Sequence, residues 1–253
     1  MTSLGDDVFV ARFSSQQVEV YSAATLAFRL CLTVPGLSWP GGLAACSKNK
    51  CLYASDGDNE CVHRVDLGGN NAARKWSVTY SPMGLSVNSE HNLIVACSLT
   101  DKLQEYTTDG SLVREIVIRK LPADVTRPWH AIQLSSGNYV VSHDTSPGVV
   151  SVVGADGKVI RSYGQSQSSD GVQMKYPASL AVTKSNNVLV ADVWNNRVLS
   201  INSLMRSVQD LALSVNGGIQ GPRGLCLDES RGRLYVGYWS GDLQVFAFDE
   251  VCV

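Results

Sequence analysis

The stretch Pro177–Ile201, PASLAVTKSNNVLVADVWNNRVLSI, decides how the rest of the chain is read. A proline opens it, followed two residues later by a small residue and then by leucine. A polar turn follows, then the apolar run Val188-Leu189-Val190-Ala191, a short polar loop, and the alternating segment Val198-Leu199-Ser200-Ile201. The pattern recurs. Pro40-Gly41-Gly42-Leu43, Pro82-Met83-Gly84-Leu85 and Pro222-Arg223-Gly224-Leu225 repeat the anchor, and Pro128-Trp129-His130-Ala131 is a divergent copy; successive prolines lie 42, 46, 49 and 45 residues apart. Each anchor leads to an apolar run: Leu52–Ser55, Leu93–Ala96, Tyr139–Ser142 and Leu234–Gly237. A fixed period of this length marks a repeat architecture.

Each unit reads as four short strands, a to d. The second is apolar throughout, so both of its faces are buried. A lone sheet cannot bury both faces, whereas sheets packed face to face around a ring can. The N-terminus supplies a further copy, with Val8–Ala11, Gln17–Val20 and Phe28–Val34 as strands b, c and d and Met1–Leu4 as a short a. The expectation is an all-β, six-bladed β-propeller of four-stranded antiparallel blades, one domain over 1–253, with blades at about 1–34, 35–79, 80–124, 125–171, 172–217 and 218–253. Only Asp249–Val253 remain for the outer strand of the last blade, which is expected to be incomplete. The abrupt start at strand a suggests a domain cut from a longer chain. No segment shows helical periodicity.

The unit at Pro177–Val182, Asn187–Asp192 and Asn195–Val198 resembles the NHL repeat, and through the six copies the resemblance extends over the whole chain. It implies a six-bladed propeller, in agreement with the spacing. The chain is similar to the C-terminal propellers of tripartite-motif ubiquitin ligases and their invertebrate relatives, without the zinc spacing or heptads of their other domains. The resemblance implies the recognition part of such a protein, or a free-standing relative.

Composition bounds the function. Charged residues are 17% of the chain and the formal net charge is −2, which argues against a strongly basic nucleic-acid binder. The longest apolar runs, such as Leu93–Cys97, fall far short of the roughly 20 residues a bilayer requires. The segment Met1–Asp7 is acidic and lacks the features of a signal peptide, so a cytoplasmic location is expected. Seven cysteines are present. Cys31, Cys97 and Cys226 sit in strand-like runs as small hydrophobes. Cys46 and Cys51 flank a four-residue turn and are read as two reduced thiols. A zinc site is set aside, because no CxxC occurs and no histidine is recognised beside these cysteines at ligand spacing.

Asp192-x-x-Asn195-x-Arg197 is read as a structural trio that closes the loop between strands b and c. Its counterparts, Arg12/Gln17, Asp56/Cys61, Cys97/Lys102, His143/Gly148 and Tyr238/Asp242, differ too much for a shared catalytic element. His63 and His91 are given no chemical role. The turn Ser135–Asn138 would pair Leu134 with Tyr139 and bring His130 opposite His143, a polar pair at the top rim of a wet channel. With only Asp144 as a third ligand, no metal is assigned there. Of the five tryptophans, Trp39 is read as a wedge between blades. Trp129, Trp194 and Trp239, in polar loops of one face, have the character of interface anchors.

The expected function is a non-enzymatic binding module that presents its top face to a protein or to single-stranded RNA, as a monomer, with no cofactor and no membrane contact. The expected site is Arg127, Trp129, His130, His143, Asp144, Trp194, Arg223, Tyr238 and Trp239. Mixed charge on that face argues against RNA as the first reading. The alternative is a propeller enzyme acting at the channel mouth, either a metal-dependent hydrolase or a relative of the peptide-amidating lyase, which shares six blades and NHL-like repeats. That lyase's metal-binding histidines have no evident counterparts on separate blades here, and no GxSxG occurs.

Overall fold

A computed structural model describes residues 1–69, 71–119, 127–164, 173–202, 207–211, 213 and 220–249. The chain is an all-β six-bladed propeller whose contacts divide into two units, Met1–Val117 and Ile118–Val253. The first unit holds three four-stranded antiparallel sheets: β1 (Thr2–Leu4), β2 (Asp7–Ala11), β3 (Gln17–Ser22) and β4 (Phe28–Thr33); β5 (Pro40–Cys46), β6 (Cys51–Asp56), β7 (Cys61–Asp66) and β8 (Ala73–Ser77); and β9 (Pro82–Val87), β10 (Leu93–Cys97), β11 (Lys102–Tyr106) and β12 (Leu112–Val117). The second unit holds β13 (Pro128–Gln133), β14 (Tyr139–His143), β15 (Val149–Val153) and β16 (Val159–Tyr163); β17 (Pro177–Val182), β18 (Val188–Asp192), β19 (Arg197–Ile201) and β20 (Val208–Leu211); and the three strands β21 (Pro222–Asp228), β22 (Arg233–Tyr238) and β23 (Leu243–Ala247). The last sheet thus has three strands among the described residues; residues 250–253, read above as part of a possible fourth, lie outside them.

Burial follows strand rank. Every residue of β6, β10, β14 and β18 is buried, whereas β4, β8 and β12 are exposed along most of their length. The core lies between adjacent sheets. In the first unit Tyr53, Val62, Leu85, Val95 and Tyr106 form one cluster; in the second, Val140, Val150, Leu180, Val190 and Leu199 form another. β-branched and leucine side chains suit such a two-sided position.

Proline explains the anchors. It opens strand a opposite the last residue of strand b, as in Pro177↔Asp192 and Pro222↔Tyr238, and a register shift follows it in all five anchored sheets. Proline cannot donate to the ladder, so it is tolerated at the first residue of a strand or at a bulge. The small residue after it reflects a close approach between neighbouring sheets. A Cβ on Gly42 would stand 2.7 Å from the Met83 carbonyl oxygen. In the second unit the same position carries a bond: Ser179 Oγ accepts the Leu225 N–H at 3.1 Å.

His130 occupies this position in its own blade and does the same work. Its Nδ1 accepts the Leu180 N–H at 3.0 Å. The expected His130–His143 pair is therefore corrected. Gly137, at φ +83°, donates its N–H to Leu134, and Leu134 in turn meets Asn138 rather than Tyr139. This shifts the hairpin by one residue, so His130 faces Ser142 and Pro128 faces His143. His143 is 0% exposed, and its Nε2 lies 2.6 Å from Ser151 Oγ inside the blade. It lines no channel rim.

Cys46 and Cys51 face each other across their hairpin as free, buried thiols, and Cys31, on an outer strand, is exposed rather than packed as a small hydrophobe. Among the described residues no helix is long and apolar enough to cross a membrane.

Candidate functional site

The second unit carries its own concentration of aromatic and charged loop residues, held by the trio at β18–β19. Asp192 is fully buried and accepts the backbone N–H groups of Lys175 at 2.9 Å and Tyr176 at 3.4 Å. Its Oδ2 also receives Asn195 Nδ2 at 2.7 Å and Arg197 Nε at 3.0 Å. Asn195 and Arg197 each donate a second bond to the Gln173 carbonyl. The trio is structural, and what it holds is the segment 173–176 that enters strand a. Gly148 pins the same segment from the preceding blade: its N–H bonds the Met174 carbonyl at 2.9 Å, and a Cβ there would meet Pro177 Cδ at 2.5 Å.

The segment presents Tyr176, which stands in the middle of a chain of rings. Trp129 meets Tyr176 at 5.5 Å between centroids, Tyr176 meets Trp194 at 5.9 Å, and Trp194 meets Trp239 at 6.1 Å. All three spacings lie in the range where aromatic pairs attract. The Arg223 guanidinium lies 4.3 Å from the Trp239 centroid and 6.0 Å from that of Trp129, a cation–π arrangement. Trp194 and Trp239 are each 60% exposed, which is far too open for wedges between blades. One turn of 3-10 helix, Val193–Asn195, sets Trp194 outward by burying Val193 beneath it. In the first unit Trp39, expected as a wedge, is also exposed, with Phe13 edge-on at 5.0 Å.

Beside the rings an open cavity of about 850 Å³ is lined by Arg127, Asp144, Thr145, Pro147, Lys175, Tyr176 and Trp194. Burial pushes the Tyr176 phenol up to about 12, against the pull of Arg223. The phenol is therefore protonated at neutral pH and serves as a hydrogen-bonding group rather than a base.

Of the nine expected residues, Trp129, Trp194, Arg223 and Trp239 come together in the ring cluster, and Arg127 and Asp144 line the cavity next to it. Three are placed otherwise. His130 is engaged between blades, His143 is buried, and Tyr238 packs against the core beside Leu234 and Val236 while its hydroxyl donates to Gln244 Oε1 at 2.8 Å. Tyr176 is missing from the expected set although it connects the cavity to the rings. The signal is its place directly before Pro177, which matches that of Trp39 before Pro40.

Sequence reading also passes over a cluster in the first unit. Asp56, Cys61 and His63 are all buried, with their ligand-type atoms within 4.8 Å of one another. The exclusion of zinc considers only Cys46 and Cys51 and does not reach Cys61-x-His63, where His63 is given no chemical role.

Comparison with known proteins recognises an NHL repeat at residues 174–199, the segment that holds Tyr176 and the trio. No curated protein sequence matches the chain. Solved structures of similar fold include Kuenenia stuttgartiensis hydrazine synthase, at 15% identity with a TM-score of 0.68, covering 97% of this chain and 94% of that one. A chain of a nidogen/laminin complex gives 15% identity and a TM-score of 0.72, covering 95% and 88%. Virginiamycin B lyase from Staphylococcus aureus gives 8% identity and a TM-score of 0.66, covering 98% and 83%. At these identities the likeness is one of fold, and the chain is an NHL-repeat-bearing six-bladed propeller similar in fold to both lyases and a member of a protein–protein complex.

Proposed function

We propose that the second unit is a protein-binding module whose contact surface is the ring cluster Trp129–Tyr176–Trp194–Trp239 with Arg223, and whose neighbouring cavity receives one side chain of the partner. The observation that carries this reading is the pair of tryptophans left 60% exposed in a connected aromatic cluster. Tryptophan, tyrosine and arginine dominate interface energetics, and exposed rings already fixed by stacking lose little entropy on binding. A protein partner is favoured over RNA because Arg223 already lies against Trp239 and Asp144 sits in the cavity wall, so the face is not a continuous track for phosphates. The fold of a chain from the nidogen/laminin complex supports a recognition role, while the fold of virginiamycin B lyase supports the alternative of an enzyme. We propose further, on the sequence resemblance alone, that the chain serves as the recognition part of a larger ubiquitin-ligase-like protein in the cytoplasm.

The test is a peptide-display selection against the purified chain, with Trp194→Ala and Trp239→Ala as counter-screens. Each variant is expected to lose about 1–4 kcal/mol of binding, a fall of roughly 5- to 1000-fold, with the melting temperature unchanged. Ligands that bind both variants like the parent would overturn the placement. Capture of single-stranded RNA in place of peptides, with affinity falling steeply as salt rises, would overturn the partner class.

A further inference from the structure

We propose that Asp56, Cys61 and His63 form a binding site for one divalent transition metal, best matched to Zn²⁺, which fastens the loop between β6 and β7 to the connection that enters β5. Asp56 is the last residue of β6 and Cys61 the first of β7, and they are direct partners in the ladder. His63 lies two residues further along β7, on the same face of the sheet as Cys61. Cys61 Sγ is 3.4 Å and Asp56 Oδ2 is 3.3 Å from His63 Nε2. Tetrahedral zinc bonded at about 2.3 Å to sulfur and 2.0–2.2 Å to nitrogen and oxygen sets its ligands about 3.3–3.6 Å apart. Both contacts of Nε2 stand at those separations, and the sulfur and the carboxylate oxygen lie within 4.8 Å of each other.

The direction of the contacts matters as much as their length. One nitrogen, Nε2, faces both the thiol and the carboxylate. A nucleophile–base–acid relay would use the two ring nitrogens in turn. Three ligand atoms of different residues within 4.8 Å of one another suit a shared metal instead.

The neighbouring chemistry agrees. In the second unit the corresponding carboxylate, Asp192, is met by the Arg197 guanidinium at 3.0 Å. In the first unit the residue at that position is Cys61, so the buried Asp56 has no arginine opposite it. The Asp56 carboxylate is held in place by bonds from the Asn59 side chain and the backbone N–H groups of Ser38 and Trp39. Metal binding would displace the Cys61 proton to solvent. Carboxylate, thiolate and neutral imidazole then balance a dication. Lys75, the ladder partner of His63 on β8, is the cation whose field reaches both Cys61 and His63, and it opposes the metal.

The test strips the purified chain with chelator and titrates it with Co²⁺, then displaces the cobalt with Zn²⁺. One equivalent is expected to bind, with a thiolate-to-cobalt charge-transfer band, visible bands of tetrahedral intensity, release of one proton and a rise in melting temperature. Cys61→Ser and His63→Gln are each expected to weaken binding about a hundredfold or more, beyond the 10–100-fold typical of an outer-shell partner. Lys75→Gln should tighten it, and the Cys46→Ser/Cys51→Ser double variant should bind as the parent does. Absence of one-equivalent binding by the parent chain would overturn the site whether or not the variants fold. So would cobalt bound without the charge-transfer band, or binding unchanged in both Cys61→Ser and His63→Gln.

Discussion

Replacing Asp192 by alanine tests the link between the repeat and the binding face. The carboxylate accepts two backbone N–H groups, from Lys175 and Tyr176, and two side-chain donors, from Asn195 and Arg197. The side-chain donors each keep a bond to the Gln173 carbonyl after the change, so they are not orphaned. The two backbone donors lose their carboxylate partner, at about 1–3 kcal/mol each. The lost ion pair adds less than the 3–5 kcal/mol of a fully buried one, because the Arg197 side chain is 27% exposed. A total of about 3–5 kcal/mol follows. At roughly 2–4 °C per kcal/mol for a chain of this size, the melting temperature should fall by about 6–20 °C. Asp192→Asn retains an acceptor and should lose about half as much. Urea and thermal denaturation read the stability, and tryptophan fluorescence reads the ring cluster, which should change because Tyr176 is no longer held from behind. A loss under about 1 kcal/mol, or a large loss with the fluorescence of the folded state unaltered, would refute the argument that the trio positions the site.

Two further outcomes are expected. His130→Ala deprives the Leu180 N–H of its acceptor and should cost about 1–2 kcal/mol by urea denaturation, whereas His130→Ser, copying Ser179, should cost less. Glu105 is buried, and although burial pushes its carboxyl up, bonds from Asn92, Arg114 and Asn88 hold it below its ordinary range. A depressed carboxyl stabilises the fold above its unfolded pKa of about 4.3 and ceases to do so as pH falls through the folded value. The parent chain should therefore lose stability in acid more steeply than Glu105→Gln, the two curves converging at low pH; parallel curves would show that the carboxylate is not linked to folding.

The fold was legible because the packing repeats. Every blade needs a strand buried on both faces and a residue that lets neighbouring sheets approach, and both demands leave marks at a period of 42 to 49 residues. What was not legible depends on offsets of a single residue. The Gly137 turn moved His130 away from His143, and the bulge after the anchor proline set Pro128 there instead; period counting cannot sense either. Pro128-Trp129-His130 departs from the repeat, and at His130 the departure is a different side chain making the bond that Ser179 makes one blade later. Tryptophans in polar loops could be found from sequence. For Tyr176 the sequence offers only its place before Pro177, because its importance comes from standing between two rings that are distant in the chain. The Asp56–Cys61–His63 cluster escaped although Asp56 and Cys61 were already set opposite each other, because His63, two residues on along the same face, was given no chemical role.

The bonds from Leu180 to His130 and from Leu225 to Ser179 cross the seam between neighbouring blades rather than the ladder within one. These two amide hydrogens consequently report on a different event from those around them. Hydrogen exchange at most strand positions waits for a sheet to unravel, but at Leu180 and Leu225 it requires only that two intact blades part. The second unit thus carries a pair of built-in gauges of blade separation, readable without a label, and able to register whether a partner gripping the rim draws the blades together or pries them apart.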